Sequence, residues 1–162
     1  MDRHPDGRWR VDVRMDSENA DVTERILACA FHVHARLGAG LLESTYRACL
    51  HHRMRSEGLC VEAEVPIDIV FDGVAIAGAY RADLIVNEQI LLELKAVERL
   101  LPIHISQTLT YIKHAVLPTG LLLNFNVQHL RHGIRRVDNR ALRTEHSPAS
   151  PASFLPAFDY LP

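Results

Sequence analysis

The stretch Tyr80-Arg81-Ala82-Asp83-Leu84-Ile85-Val86-Asn87-Glu88-Gln89-Ile90-Leu91-Leu92-Glu93-Leu94-Lys95 decides how the rest of the chain is read. Ala79 to Val86 has the character of one strand and Ile90 to Val97 of the next. Side chains alternate faces along a strand. Asp83 therefore shares a face with Arg81 and Ile85, and Glu93 shares one with Leu91, Lys95 and Val97. With Asn87-Glu88-Gln89 as a three-residue hairpin loop, Val86 faces Ile90 and Asp83 stands opposite Glu93. Two carboxylates then meet among Leu84, Ile85, Val86, Ile90, Leu91, Leu92 and Leu94, with a lysine one step along. Unpaired like charges in such surroundings are costly, and a divalent cation is the simplest group that neutralises them. The plain alternative for Glu93 and Lys95 is an ion pair on a sheet surface.

Upstream of this hairpin the periodicity is helical. Residues 1–19 carry no sustained period and read as a flexible segment. Asp21-Val22-Thr23-Glu24 opens a helix with Ile26, Ala30, Phe31, Val33, Ala35 and Leu37 on its apolar side, and Gly38-Ala39-Gly40 ends it. A second helix runs from about Leu41 to Gly58, with Leu42, Tyr46, Cys49, Leu50 and Met54 at helical spacing. Val61 to Val70 alternates as a half-buried strand does. Pro66 favours an edge or a bulge there. Asp72-Gly73 marks a turn, after which Val74 to Ala77 pairs back and Gly78 leads into the Asp83 strand.

Downstream, Pro102 precedes a helix from about Ile103 to Val116, and Pro118-Thr119-Gly120 breaks it. Leu121-Leu122-Leu123-Asn124-Phe125 has the continuous apolar character of a strand buried on both faces. Gly133 to Val137 is a candidate last strand at an edge. Residues 138–162 contain Pro and Ser stretches and little period, and read as a tail in which Phe154, Leu155, Phe158, Tyr160 and Leu161 are candidates for docking on the body. The order predicts an α/β sandwich with a mixed sheet in one domain, residues 20–137.

Composition narrows the class. The chain has 162 residues, 48% of them apolar and 23% charged, with a formal net charge of −2. That length supports one domain with a sizeable core. The charge does not advertise nucleic-acid binding, which usually draws on a basic excess, although Arg131, Arg135, Arg136, Arg140 and Arg143 form a candidate basic edge. Cys29, Cys49 and Cys60 lack paired spacing and read as reduced thiols of a cytoplasmic protein. No apolar run is long enough for a membrane span. Oligomeric state is not legible at this level.

Asp83, then Glu93-x-Lys95, then a crossover helix and a buried strand resembles the core of the PD-(D/E)XK nuclease superfamily. Gln107-x-x-x-Tyr111 is similar to a helix motif of a subset of those nucleases. Gly40-Leu41-Leu42-Glu43-Ser44-Thr45-Tyr46 resembles the signature of the GxxExxY family, and Leu122-Leu123-Asn124-Phe125 and Gly133-Ile134-Arg135-Arg136 resemble its later segments. Ala82 stands where the superfamily often has proline. The resemblance covers about residues 20–137. It implies a restriction-endonuclease-like three-layer sandwich, with a mixed β-sheet flanked by helices, and a nuclease acting on nucleic acid, DNA favoured.

That chemistry matches the residues. Phosphodiester hydrolysis needs an activated water and neutralised charge on the phosphate. Asp83 and Glu93 are carboxylates suited to Mg²⁺ or Mn²⁺. Lys95 would orient or deprotonate the attacking water and stabilise developing charge. The resemblance adds the Leu94 carbonyl and Glu43 as metal ligands and Gln107 as a catalytic residue. Without it, Glu43 is a carboxylate favoured by a helix N-terminus, and Gln107 and Tyr111 are the polar flank of an amphipathic helix. Tyr111, Tyr46, Arg135 and Arg136 are candidate substrate contacts, with core packing the favoured reading for Tyr46. Glu64 is a candidate supporting carboxylate. His32-x-His34, His51-His52, His104 and His114 lack the partners of a zinc site. The competing reading is a non-catalytic module that binds nucleic acid or protein. A degenerate module would be expected to lack a member of Glu43, Asp83, Glu93, Lys95 and Gln107, and all are present.

Overall fold

A computed structural model describes residues 15–143. Their order is α1 (Met15–Leu37), α2 (Glu43–Ser56), β1 (Val61–Phe71), β2 (Val74–Val86), β3 (Ile90–Lys95), α3 (Pro102–His114), β4 (Thr119–Asn124), a 3₁₀ turn at Leu130–Gly133, β5 (Ile134–Asp138) and α4 (Arg140–Arg143). Among the described residues the strands form one sheet in the order β1-β2-β3-β4-β5, with β3 and β4 parallel and the other neighbours antiparallel. The parallel pair needs a crossover, and α3 supplies it. This is the mixed-sheet sandwich that the sequence predicts. The tail residues Phe154, Leu155, Phe158, Tyr160 and Leu161 lie outside the described residues, as does the segment 1–14.

Two apolar cores make the three layers. On one face α1 and α2 bury Val22, Ile26, Ala30, Tyr46, Leu50 and Met54 against Leu84, Val86, Leu92, Leu94, Leu121 and Leu123. On the other, Tyr111 and Ile112 of α3 pack with Ile85, Leu91 and Val137. The helix α3 approaches β4 closely at Gly120. A Cβ there would stand 2.7 Å from Thr108 Cγ2 and 3.0 Å from Ile112 Cγ2.

The elements depart from the sequence reading in three ways. First, α1 begins at Met15, inside the segment read as flexible, and its buried stripe is Val22, Ile26, Cys29, Ala30 and Val33. Phe31 and Leu37 are exposed. The stripe keeps the spacing of one helix face; Phe31 falls on the opposite side, and Leu37 has that spacing but is the last residue of the helix. Second, Val74 to Val86 is one strand rather than two. Ala77, Gly78 and Ala79 stand against Asp68 where the register shifts, Gly78 takes φ 59, and the Asp68 carboxylate accepts its N–H at 2.7 Å. The extra residues are on β2, opposite the edge strand β1, and Pro66 lies on that edge strand as expected. Third, packing continues past the 138 boundary. The Asn139 N–H bonds the Pro118 carbonyl at 2.8 Å, and Asn139 is buried.

The β1–β2 hairpin also changes side. Val61, Leu84 and Val86 pack in the core under α1 and α2, whereas Val65, Ile67 and Ala82 pack in the core under α3. The change falls at Asp83 and at Glu64, which lies between the pairs Ala63–Leu84 and Val65–Ala82 and has φ 53.

Candidate active site

The β2–β3 register holds as predicted at Leu84–Leu92, Ile85–Leu91 and Val86–Ile90, with Asn87 and Glu88 at positive φ in the loop. Asp83 stands one step beyond the last of these pairs. Its Oδ2 accepts the Leu94 N–H at 2.8 Å, so a carboxylate continues the ladder where the backbone stops. Its Oδ1 accepts from Arg47 Nη1 at 3.0 Å.

Glu93 is 3% exposed. Its Oε1 receives Lys95 Nζ at 2.6 Å, and its Oε2 is buried with no hydrogen-bond partner. Burial drives the carboxyl up to about 7. The hydrogen bond and charge of Lys95 oppose the rise, while Asp83 and Glu43 add to it. Lys95 is pulled down by burial, but its bond to Glu93 and the charges of Glu93, Glu43 and Asp83 outweigh that, and the net shift is upward. At neutral pH it is an ammonium ion. Of the two roles expected for Lys95, orienting water and stabilising charge fit this state, and removing a proton does not.

Glu43 opens α2, in its first turn. Its carboxylate takes the Ala96 N–H, next to Lys95. Burial and the charge of Asp83 raise it against Lys95, the Ala96 bond and Arg47. One turn on, Arg47 presents the same helix face. The sequence reading missed it, although its four-residue spacing from Glu43 was an available signal. Glu43, Asp83, Glu93 and Lys95 thus interact electrostatically in one cluster. Among the described residues, no three Asp, Glu, His or Cys side chains converge closely enough to hold one ion.

A family model of the PD-(D/E)XK nuclease superfamily matches residues 20–137. The chain belongs to that superfamily. Curated proteins and solved structures gave no match. PD-(D/E)XK nucleases act on nucleic acid and generally use divalent metals, and the mixed sheet with helices on both faces is their kind of fold. Among the described residues, no helix is long and apolar enough to cross a membrane.

Within this PD-(D/E)XK domain the remaining candidates separate. Gln107 is half-buried, and its Nε2 donates to Tyr111 Oη at 2.7 Å. Tyr111 is 7% exposed and packs on Tyr80 with ring centroids 5.0 Å apart. Of this pair, Gln107 is the more accessible. Arg135 lies in the row of Glu93, because Glu93 pairs with Leu122 and Leu122 with Arg135. Two strand spacings, about 10 Å, separate their backbones. Arg136 pairs with Leu121, on the opposite face, and its Nε bonds Asp138 Oδ1 at 2.9 Å. Arg136 thus stands on the face away from Glu93, since neighbours on a strand point opposite ways.

Tyr46 takes the packing position. It is fully buried, its hydroxyl donates to the Gly38 carbonyl at 2.7 Å and accepts the Leu41 N–H at 3.1 Å, and its ring stacks on Phe125 at 4.6 Å. It anchors the loop into α2. Gly40 in that loop has φ 101, which excludes most side chains. The turn therefore fixes where Glu43 enters. His104, read as surface or core, accepts the Leu101 N–H through Nδ1 at 3.2 Å and caps α3.

Proposed function

We propose that this PD-(D/E)XK protein is a metal-dependent nuclease that hydrolyses phosphodiester bonds, with DNA favoured, and that it falls in the GxxExxY family. The carrying observation is the Glu93 carboxylate, buried, with Oε2 unpartnered beside Asp83, Glu43 and Lys95. Buried polar atoms normally find partners. A hard cation fits an open carboxylate oxygen, and Mg²⁺ binds through one or two carboxylates while keeping several waters, so a three-carboxylate cage is not required. Asp83 and Glu93 would hold Mg²⁺ or Mn²⁺, with the Leu94 carbonyl and Glu43 beside them. A divalent ion bound there supplies Lewis acidity and charge neutralisation at the phosphate.

The chain's own residues do the rest. The Lys95 ammonium holds the attacking water and stabilises charge developing on the phosphoryl oxygens. Gln107 and Arg135 contact the phosphate backbone, with Tyr111 holding Gln107. GxxExxY membership is supported by the physical sense of the signature: Gly40 for the turn, Glu43 at the site, Tyr46 as anchor. Three free thiols suit a reducing compartment, and we place the protein in the cytoplasm on that ground.

The second reading, a nucleic-acid- or protein-binding module without catalysis, has one observation in its favour. Both Asp83 oxygens are already engaged, by Arg47 and by the Leu94 N–H. Cleavage of labelled DNA and RNA in Mg²⁺, Mn²⁺, Ca²⁺ or EDTA separates the two. We expect cleavage in Mg²⁺ or Mn²⁺, and a loss of about two orders of magnitude or more in Lys95→Ala with the fold intact. Affinity for uncleaved DNA should be weak, fall with salt, and rise on adding Ca²⁺. Cleavage that survives Lys95→Ala would sink the mechanism. Affinity unchanged by Ca²⁺ would favour the binding module.

A further inference from the structure

The acidic cluster contains a cation that phosphodiester hydrolysis does not itself require. Arg47 Nη1 lies 3.0 Å from Asp83 Oδ1, and Arg47 Nη2 lies 3.2 Å from Glu64 Oε1. One guanidinium therefore bridges two carboxylates on neighbouring strands. The planar fork of arginine suits this, since each carboxylate takes a different nitrogen. The side chain of Asp83 is 12% exposed and that of Arg47 24%, so the contact is partly shielded from water.

The backbone at Glu64 is unusual where it meets this bridge. Its φ of 53 is the left-handed conformation, uncommon for a residue with a β-carbon, and it occurs inside β1 opposite Asp83. Such a conformation is costly and persists only where the surroundings hold it. The turn falls where the hairpin passes from one core to the other, and it leaves the Glu64 side chain 51% exposed beside Arg47. Its ionic partners are Arg47 and, at 3.8 Å, Arg81.

We propose that Arg47 is the resident counter-cation of the metal-free site. It neutralises Asp83 until a divalent ion takes its place, and Glu64 then keeps the displaced guanidinium beside the site. The proposal rests on the metal reading above. Four carboxylates (Glu43, Glu64, Asp83 and Glu93) then face Arg47, Lys95 and, at 3.8 Å from Glu64, Arg81, so the metal-free cluster is nearly balanced. A divalent ion turns that balance positive, which favours a phosphate only when the metal is present. Arg47 acts through Asp83 and is a positioning residue.

Two cations competing for one carboxylate are linked: removing one tightens the other. A purely structural Arg47 would do the reverse, because its loss would loosen Asp83. The test is Mn²⁺ alone titrated into the full chain at pH 8, with free Mn²⁺ read by electron paramagnetic resonance. Arg47→Met should bind Mn²⁺ about tenfold tighter than wild type, and Glu64→Gln several-fold weaker, since Arg47 then has Asp83 alone to hold. Opposite signs in the two variants support the proposal. If Arg47→Met folds and binds no tighter than a wild type that does bind Mn²⁺, the proposal falls and the metal reading stands. If Arg47→Met does not fold, Glu64→Gln decides: weaker binding supports the proposal, and equal or tighter binding overturns it. If neither wild type nor either variant binds Mn²⁺, the proposal and the metal reading fall together.

Discussion

Asn124 grips the main chain of Val97 from both ends of its amide: Oδ1 accepts the Val97 N–H at 3.1 Å, and Nδ2 donates to the Val97 carbonyl at 2.8 Å. The same Oδ1 takes the Asn126 N–H at 3.2 Å, and the Phe125 N–H bonds the Lys95 carbonyl at 2.9 Å. The ends of β3 and β4 are thereby tied together just past Lys95. Gly133 closes the arrangement, since a Cβ there would collide with the Asn124 carbonyl oxygen. The Leu-Leu-Asn-Phe strand and the Gly-Ile-Arg-Arg segment meet at this point, and they do so to hold the lysine-bearing strand.

Asn124→Ala would strip partners from the half-buried main chain of Val97. Each unsatisfied group costs about 1–3 kcal/mol. The expected loss is about 2–4 kcal/mol of unfolding free energy, read from urea titration, with lower cleavage because the Lys95 end of β3 loosens. A change below about 0.5 kcal/mol would mean the clamp is incidental.

Tyr46→Phe keeps the stack on Phe125 and removes the two hydroxyl bonds to Gly38 and Leu41. Stability should fall by about 1–2 kcal/mol. DNA affinity in Ca²⁺ should stay within error of wild type. A selective drop in affinity at unchanged stability would restore Tyr46 as a phosphate contact.

Gly120→Ala places a methyl against Thr108 and Ile112 of α3. Overpacking of this kind costs about 1–3 kcal/mol. Because α3 also carries Gln107, cleavage should fall together with the melting temperature. A stabilised variant would show that α3 can shift freely and that its seat on β4 does not set the site.

The pH dependence follows from Glu93. Its folded value of about 7 lies above the ordinary 4.5, so between these values the folded state holds the proton and the unfolded state does not. Stability of the metal-free protein therefore falls as pH rises from about 4.5 through about 7 and levels above it, by at most about 3 kcal/mol at roughly 1.4 kcal/mol per pH unit. Urea midpoints of wild type and Glu93→Gln at pH 5 and pH 8 isolate this part: the wild type should lose more than the variant. Mn²⁺ affinity should rise with pH through the same window, because the ligand must be ionised. Equal pH slopes in the two proteins would show that Glu93 ionises normally.

Much of the fold was legible because it follows local rules. A three-residue loop and two-residue alternation set the Asp83–Glu93 hairpin, Gly40 and Pro102 marked where helices begin, and the apolar run at Leu121 to Leu123 announced an interior strand. The same alternation puts Arg135 and Arg136 on opposite faces of β5, so their separation was legible in the chain as well. The bulge at Gly78 was not legible, because it depends on Asp68 across the hairpin.

What the sequence by itself determined is the hairpin with its two carboxylates and lysine, the order of helices and strands, and the superfamily. Tertiary structure alone decided that Arg47 joins that hairpin and that Glu93 keeps one oxygen unpartnered. The reason is physical. Alternation and turn chemistry act between residues a few positions apart, whereas Arg47 and Asp83 are 36 positions apart, and only the docking of α2 across the sheet brings them within a hydrogen bond.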